Sequence, residues 1–154
     1  MGWPADWDAM VDGSACPHCA EGRPAETPRK LRIGGSAVTD IYVPRRALVR
    51  GYAVVYWRGR HVVELHHLTD DEAQQYDADV RRLARAIEAH FRPLKINYMT
   101  AGNIVPHLHT HVTARYREDP APGAPLPHDR NIEMPEAQWR ADAAALRALL
   151  SRSG

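Results

Sequence analysis

Histidine occupies three alternating positions in one short run of the chain, His107, His109 and His111. In a β-strand, side chains at alternate positions point to the same face and lie roughly 6.5 Å apart. The run therefore predicts a strand that carries three imidazoles on one surface. Imidazole is a nucleophile, a proton carrier near neutral pH and a metal ligand, so the pattern indicates transfer chemistry at a charged centre. The alternative is a polar strand face whose histidines are only hydrogen-bonded.

The composition fits one folded domain over residues 1–154, with 44% apolar and 25% charged residues. The 20 Lys and Arg residues are balanced by 19 Asp and Glu residues, so we expect neither a nucleic acid nor a membrane as a partner. The first residues include acids and contain no apolar core, and no run approaches the ~18 apolar residues of a membrane span. We therefore predict no secretory signal and a cytoplasmic location.

Residues 1–30 are rich in proline, glycine and charge, and we predict an irregular segment there. Its chemistry is concentrated in the pair Cys16 and Cys19, which enclose Pro17 and His18. A Cys-x-x-Cys pair can hold zinc or exchange disulfides, and in a reducing compartment a structural disulfide is the less common use. The redox function needs a strand before the pair and a helix that starts at it. The glycine and serine before the pair, and the glycine and proline soon after it, disfavour that context.

Apolar runs separated by turn residues predict five strands of a sheet. Residues 31–33 and 37–43 flank two glycines and a serine, which indicates a hairpin. Residues 51–57 are nearly all apolar, as in a central strand with both faces covered. Residues 94–99 and 105–114 are two further predicted strands, and the second of these contains the three histidines.

Two helices are predicted from apolar residues that recur at three- and four-residue steps. The long one spans residues 70–91, and Thr69 with Glu72 forms a capping box at its start. A C-terminal helix is predicted over residues 135–150. The segment 117–130 contains four prolines and has the composition of a long loop, either a lid or a disordered stretch.

The histidine run resembles the signature of the histidine triad (HIT) superfamily, His-φ-His-φ-His-φ-φ, in which φ is an apolar residue. The likeness includes the turn from Gly102 to Pro106 and covers residues 31–116. It implies an α+β fold with an antiparallel sheet of about five strands, one long packed helix and a C-terminal helix. It also implies a homodimer that is joined through the sheet edge and the long helix. Thr110 and Thr113 depart from the pattern, although threonine favours strands and is close to valine in size.

Members of this superfamily hydrolyse or transfer nucleoside monophosphates, so the resemblance implies cleavage of a nucleoside 5′-phosphoryl bond. The expected substrate is a purine nucleotide or dinucleotide, either a dinucleoside polyphosphate or a nucleoside phosphoramidate. His109 is then the nucleophile that forms a nucleotidyl-histidine, which water cleaves. His111 is expected to hydrogen-bond the phosphate or the leaving group, and His107 completes the catalytic set.

The same resemblance implies a set of substrate contacts. The turn before the histidines is expected to hold the phosphate, an amide on the preceding strand to lie near the ribose or bridging oxygen, and the hairpin to form the nucleoside cleft. The residues concerned are Gly102, Asn103, Ile104, Val105, Asn97, Asp40 and again His111. Two aromatic residues, Tyr52 and Trp57, could stack a base, but on an apolar strand they are more often core. The four histidines without informative spacing are predicted to be mostly surface residues: His66, His67, His90 and His128.

Several relatives carry an N-terminal Cys-x-x-Cys pair that binds zinc together with two histidines. The corresponding residues here are Cys16, Cys19, His61 and His107, a set that suits four-coordinate zinc. Such an ion is expected to be structural and to tether the N-terminal segment to the histidine strand. His18 lies inside the tight pair, so its ring is poorly placed to reach the same ion.

Two other functions stay open at this point. One is a nucleotide-binding regulatory module that keeps the fold without turnover, and the complete triad counts against it. The other is a thiol–disulfide oxidoreductase built on the Cys-Pro-His-Cys sequence, which bound zinc would exclude.

Overall fold

The computed structural model describes residues 2–152, which form eight strands and four α-helices. The strands are β1 (Glu26–Thr27), β2 (Lys30–Gly35), β3 (Thr39–Pro44), β4 (Arg46–Ala47), β5 (Tyr52–Trp57), β6 (Lys95–Met99), β7 (His109–Arg115) and β8 (Ile132–Glu133). The helices are α1 (Trp7–Val11), α2 (Pro17–Glu21), α3 (Asp70–Phe91) and α4 (Glu136–Arg152). Short 3-10 turns lie at Leu65–His67 and His128–Arg130.

Six of the strands form one antiparallel sheet in the order β1-β2-β3-β5-β7-β6. The remaining two, β4 and β8, pair with each other at one side. The predicted α+β fold with an antiparallel sheet, a long helix and a C-terminal helix is therefore confirmed. The strand that exceeds the predicted five is the two-residue β1, which is too short to give a pattern in the sequence.

One face of the sheet is covered by α3 and α4, and the other is left for the site. Val55 at the centre of the sheet pairs with Ile41 and Thr110, and these three side chains point to the helices. Leu83 of α3 and Leu146 of α4 are fully buried against that face. Because side chains alternate along a strand, the residues between them must face the opposite side, where His109 and His111 lie.

The start of α3 follows the sequence closely. The Thr69 hydroxyl accepts a hydrogen bond from the Glu72 amide, and the Glu72 carboxylate accepts one from the Thr69 amide, which completes the predicted capping box. The helix spans the predicted residues 70–91. The last helix spans Glu136–Arg152, close to the predicted 135–150, and no helix within residues 2–152 could span a membrane.

Two sequence predictions need correction. The segment 1–30 contains α1 and α2, five-residue helices that have no periodicity of their own. Pro17 favours the start of α2, whose His18 packs against Tyr56 of the sheet. The histidine strand begins at His109 and not at residue 105. Before it, the Leu108 amide donates to the Val62 carbonyl and the Leu108 carbonyl accepts from the Trp57 amide, so the chain bends at this point.

Candidate active site and metal-binding cluster

His109 stands on the open face of the sheet, where it pairs with Tyr56 of the neighbouring strand. Its Nδ1 lies 2.6 Å from the carbonyl oxygen of His107, so Nδ1–H is the donor and the lone pair of the ring is on Nε2. The Tyr56 ring stacks on the imidazole with centroids 5.6 Å apart. Burial lowers the pKa of His109, which keeps the ring neutral at neutral pH. A neutral imidazole with a free Nε2 has the form that a nucleophile requires.

His111 is two residues further along β7, with its ring centroid 4.9 Å from that of His109. Its Nδ1 lies 2.7 Å from the hydroxyl of Tyr52, which projects from β5. The ring of His128 lies 5.0 Å away and covers the pair. Burial, reinforced by His109 and His128, lowers the pKa of His111 to about 3. The ring is therefore neutral and serves as a hydrogen-bonding group.

His107 has a different environment from the other two histidines. Its side chain is buried, with 2% of the residue exposed. Nε2 donates to the Trp57 carbonyl at 2.8 Å, and Nδ1 faces the thiol sulfurs of Cys16 and Cys19 at 3.4 and 3.6 Å. The expectation that three imidazoles share one surface is therefore wrong, because the bend before β7 turns this ring to the side of the cysteines. The contact between His107 and His109 is made by the backbone carbonyl of His107, which accepts a hydrogen bond from Nδ1–H of His109.

Four ligand atoms meet in a partly buried cluster: Sγ of Cys16, Sγ of Cys19 and one ring nitrogen each of His61 and His107. All of them lie within 4.8 Å of one another, and the Cys19 sulfur is 3.3 Å from Nδ1 of His61. Tetrahedral zinc, with bonds of ~2.3 Å to sulfur and ~2.0 Å to nitrogen, sets its ligands roughly 3.3 to 3.8 Å apart. The donor types and the sulfur–nitrogen distances of 3.3, 3.4 and 3.6 Å therefore fit zinc, whereas the 4.8 Å limit is about 1 Å wider than a bound ion would set.

The second nitrogen of each cluster histidine supports the same conclusion. Nε2 of His61 donates to the Val11 carbonyl at 3.1 Å, as Nε2 of His107 does to the Trp57 carbonyl. Metal-binding histidines commonly donate their distant N–H to a carbonyl, which fixes the other nitrogen as the ligand. Both Nδ1 lone pairs consequently point into the cluster. His18 lies outside the set.

The requirements for a redox pair are not met by the same cysteines. Among the described residues, the element before Cys16 is the helix α1, not a strand, and α2 ends at Gly22 after five residues. Burial raises the pKa of the Cys19 thiol to about 11 when no metal is bound. A thiol–disulfide oxidoreductase needs the opposite shift, towards a stable thiolate.

A cleft of about 480 Å³ opens on the same face, and its lining includes His18 and Tyr56, whose rings contact that of His109. Its floor is Tyr52, Val54 and Tyr56, and its walls include His18 of the cysteine segment and Val105 of the turn. The basic residues on its rim are Arg29, Lys30 and Arg46. The Lys30 ammonium lies 4.5 Å from the centre of the Tyr42 ring and pairs with Glu21. The cleft therefore offers aromatic surface and positive charge next to the histidines.

The turn between β6 and β7 contains four of the predicted substrate contacts, and they differ in exposure. Val105 lines the cleft, whereas Asn103 and Ile104 are exposed to solvent. Gly102 has a φ of 76°, a backbone conformation that glycine adopts without strain.

Two predicted substrate contacts are held by other protein groups. Asn97 accepts a hydrogen bond from Arg115 at 2.5 Å and borders a separate cavity of about 670 Å³ beneath the proline-rich loop. Asp40 is completely buried and binds the guanidinium groups of Arg23, Arg32 and Arg58. The structure thus places Asp40 in an ion cluster, where its oxygens are not open to a ligand.

Sequence reasoning missed three residues around the histidines. Tyr52 is buried in the core as expected, but its hydroxyl also contacts His111, which the sequence did not indicate. His128 was expected at the surface, yet its ring contacts that of His111. His18 faces His109 with ring centroids 5.8 Å apart. No short-range pattern marks these contacts, because each joins residues that are far apart in the sequence. Trp57 is likewise a core residue, as predicted.

Comparison with known proteins agrees with this geometry. A family model described as the HIT domain matches residues 38–118, which is more than half of the chain. The chain belongs to the HIT family. This family includes nucleotide hydrolases, and some of its members are non-catalytic.

Relatives of known sequence or structure extend the likeness. The chain is 35% identical over 69 residues to the "Protein hit" of Bacillus subtilis, a match that covers 42% of this chain and about half, 48%, of that relative. A histidine triad protein of Bradyrhizobium japonicum is similar in fold, with a TM-score of 0.73 at 24% identity, and the match covers 79% of this chain and 91% of that one. A zinc-bound HIT family protein of Mycobacterium smegmatis gives a TM-score of 0.67 at 22% identity, and here the coverage is 91% and 96%.

Proposed function

We propose that this HIT protein cleaves a nucleoside 5′-phosphoryl bond through a nucleotidyl-histidine on His109. The observation that carries the proposal is the hydrogen bond from Nδ1–H of His109 to the His107 carbonyl. It fixes the ring orientation and leaves the lone pair on Nε2, in a ring that contacts two residues of the cleft, His18 and Tyr56. A nucleophile whose orientation is fixed by a backbone carbonyl loses little freedom when it attacks.

The proposed reaction has two displacements. In the first, Nε2 of His109 attacks the α-phosphorus, a P–N bond forms, and the P–O or P–N bond to the leaving group breaks. The leaving group departs with the electron pair of that bond and takes up a proton from solvent water. In the second, a water oxygen attacks the phosphorus and releases a proton to solvent, the electron pair of the bond to Nε2 returns to the His109 ring, and a nucleoside monophosphate is released.

The remaining residues bind and orient the substrate in this proposal. We assign the phosphate to the turn Gly102–Val105 and to His111, and the nucleoside to the cleft floored by Tyr56. A purine nucleotide is the expected occupant, because the cleft combines aromatic rings with basic side chains that suit a base and phosphates. Both a dinucleoside polyphosphate and a nucleoside phosphoramidate satisfy this description. Asp40 and Asn97 are assigned structural contacts instead.

Zinc in the cluster of Cys16, Cys19, His61 and His107 has a structural role in this proposal. It supplies a cross-link between the N-terminal segment and the residue whose carbonyl orients His109.

The sheet edge supports a further assignment, a homodimer. β6 is the last strand of the sheet, and its Tyr98 is largely exposed beside α3.

The test is turnover of adenosine 5′-phosphoramidate, diadenosine tri- and tetraphosphate and ADP by the wild type and His109→Ala. We expect AMP release by the wild type, its loss in His109→Ala, and no change in His66→Ala, which alters an exposed histidine in the 3-10 turn. Acid quench and mass spectrometry should find AMP attached to His109. Nucleotide binding without turnover of any of these compounds would instead support the regulatory module.

A further inference from the structure

Tyr52 and His111 form a hydrogen-bonded pair across two strands of the open face. The phenol oxygen lies 2.7 Å from Nδ1, and the two rings are nearly parallel, at 15°, with centroids 5.8 Å apart. The strand register fixes this contact, because Tyr52 pairs with Thr113 and His111 pairs with Val54, which makes the two side chains diagonal neighbours. The residue Tyr52 is 8% exposed. The pair is therefore set by the backbone and is closed to bulk water on most sides.

The direction of this hydrogen bond follows from the surroundings. If Nδ1–H of His111 donated, the phenol hydrogen of Tyr52 would need a second acceptor. Within residues 2–152, the only hydrogen bond found for the Tyr52 hydroxyl is the one to His111. A mostly buried donor without a protein acceptor is costly, which favours the hydroxyl as the donor to Nδ1. Burial also raises the pKa of Tyr52, so its proton is retained.

We infer that Tyr52 is a positioning residue that holds His111 in the Nε2–H tautomer, so that Nε2 donates a hydrogen bond to the phosphoryl or leaving-group oxygen or nitrogen. The inference rests on the proposed function for its catalytic part. No proton is transferred through the pair: Tyr52 keeps its proton, and His111 stays neutral while it donates.

The two histidines of the site then have opposite tautomers. His109 has its hydrogen on Nδ1, held by a carbonyl, and offers a lone pair at Nε2. His111 has its lone pair on Nδ1, held by a hydroxyl, and offers a hydrogen at Nε2. Two rings 4.9 Å apart can thus act on one phosphoryl group, one as nucleophile and the other as donor to the charge that develops. A preorganised donor of this kind requires no reorientation during the reaction.

The tautomer itself can be measured without any reaction. Long-range proton–nitrogen NMR spectra of the purified protein distinguish a protonated ring nitrogen from one that carries a lone pair. We expect protonated Nε2 in His111 and protonated Nδ1 in His109, with His111→Gln used for assignment. Tyr52→Phe should change the His111 nitrogen shifts and leave those of His109 in place. Protonated Nδ1 in wild-type His111, or no change in Tyr52→Phe, would overturn the inference.

The matched control is Tyr76→Phe. Tyr76 is also a buried tyrosine, and its hydroxyl bonds to Thr110 at 2.8 Å on the opposite face of the sheet. Its loss should leave the His111 spectrum unchanged. A shift as large as that in Tyr52→Phe would show that general loosening of the core, not the hydroxyl of Tyr52, sets the tautomer.

Kinetics test the catalytic part separately. In Tyr52→Phe, kcat should fall about tenfold for adenosine 5′-phosphoramidate, whose leaving group is basic, with a smaller change in KM. For the p-nitrophenyl ester of AMP, whose leaving group needs little assistance, we expect a fall of less than about threefold. Equal losses for both substrates would overturn the donor role. If the wild type turns over neither substrate, the proposed function fails while the NMR result still decides the tautomer.

Discussion

His107 and His109 are two residues apart, and the structure uses them in opposite ways. Both ring nitrogens of His107 are held by protein groups, the Trp57 carbonyl on one side and the thiols on the other. His109 has one nitrogen held by a carbonyl, and its Nε2 has no protein partner within the described chain. An imidazole with both nitrogens engaged can only hold structure, whereas one with a free nitrogen can act on a ligand. The number of engaged nitrogens, not the position in the motif, therefore separates the two histidines. His107 belongs to the metal side, which is the cluster with Cys16, Cys19 and His61, and His109 belongs to the chemical side, which is the open face of the sheet.

The largest expected effect separates the two residues by function. His109→Ala should lower kcat at least about a thousandfold and leave the melting temperature nearly unchanged, because it removes the nucleophile from a partly open face. His107→Ala keeps the backbone carbonyl that orients His109, so kcat measured at 15 °C should fall less than about tenfold. Turnover assays and calorimetry on both variants check this. A loss of turnover in His107→Ala as complete as in His109→Ala, with the fold intact, would contradict the division.

The metal side should respond to chelation more than the chemical side. We expect one zinc per chain by elemental analysis, and a fall of about 10 °C in melting temperature on chelation, corresponding to roughly 4 kcal/mol. Cys16→Ser should lower both the zinc content and the melting temperature, because it removes one of the four proposed ligands. Ser14→Ala is the control, since Ser14 lies close by in sequence, is exposed and is not in the cluster. A full zinc content in Cys16→Ser would remove Cys16 from the ligand set.

Asp40 is a predicted substrate contact, and its substitution tests whether the residue stabilises the fold instead. Asp40→Asn should lower the free energy of unfolding by about 3 kcal/mol, since three guanidinium groups lose their buried partner. KM for nucleotide should stay within about twofold. Chemical denaturation and steady-state kinetics measure the two quantities, and Asp77→Asn, in an exposed ion pair on α3, is the control. A large rise in KM without loss of stability would restore Asp40 to the substrate site.

The pH dependence of the same residue has a definite sign. Burial raises the pKa of Asp40, but hydrogen bonds from Arg23, Arg58 and Arg32 outweigh it and hold the pKa below its usual value. A lowered folded-state pKa contributes stability that is present above the unfolded-state pKa, near ~4, and is lost as the pH falls through the folded-state pKa. The wild type should therefore lose more stability than Asp40→Asn as the pH falls below about 4. Parallel curves for the two proteins would show that the carboxylate is not the group responsible.

The smallest effect concerns His18, which links the two sides. Its ring faces Tyr56 at 4.8 Å and His109 at 5.8 Å, while Cys16 and Cys19 on either side belong to the metal cluster. His18→Ala should raise KM about threefold to tenfold through loss of one cleft wall and leave zinc content unchanged. Kinetics and elemental analysis check this. Loss of zinc in His18→Ala would place the ring on the metal side instead.

Much of the fold and part of the site could be predicted from patterns of residues that lie close together in the sequence. The helix over residues 70–91 could be predicted because its periodicity and its capping box are properties of residues three or four apart. The proposed nucleophile and the four proposed metal-binding positions came from the family pattern. The course of the N-terminal segment could not be predicted, since five-residue helices have no periodic signal and depend on what they pack against.

The sequence by itself determined the type of the two long helices and of the five main strands, the family, and which residue types are available for chemistry. Only the tertiary structure decided that His107 faces the cysteines, that Tyr52 binds His111, that His128 covers this pair, and that Asp40 is an internal counter-ion. The physical reason is the range of the interactions. Periodicity and capping act over a few residues, whereas Cys16 and His107 are 91 positions apart and Tyr52 and His111 are 59 apart. Such contacts exist only after the strands have paired in register, because a shift of one residue would turn each side chain to the other face.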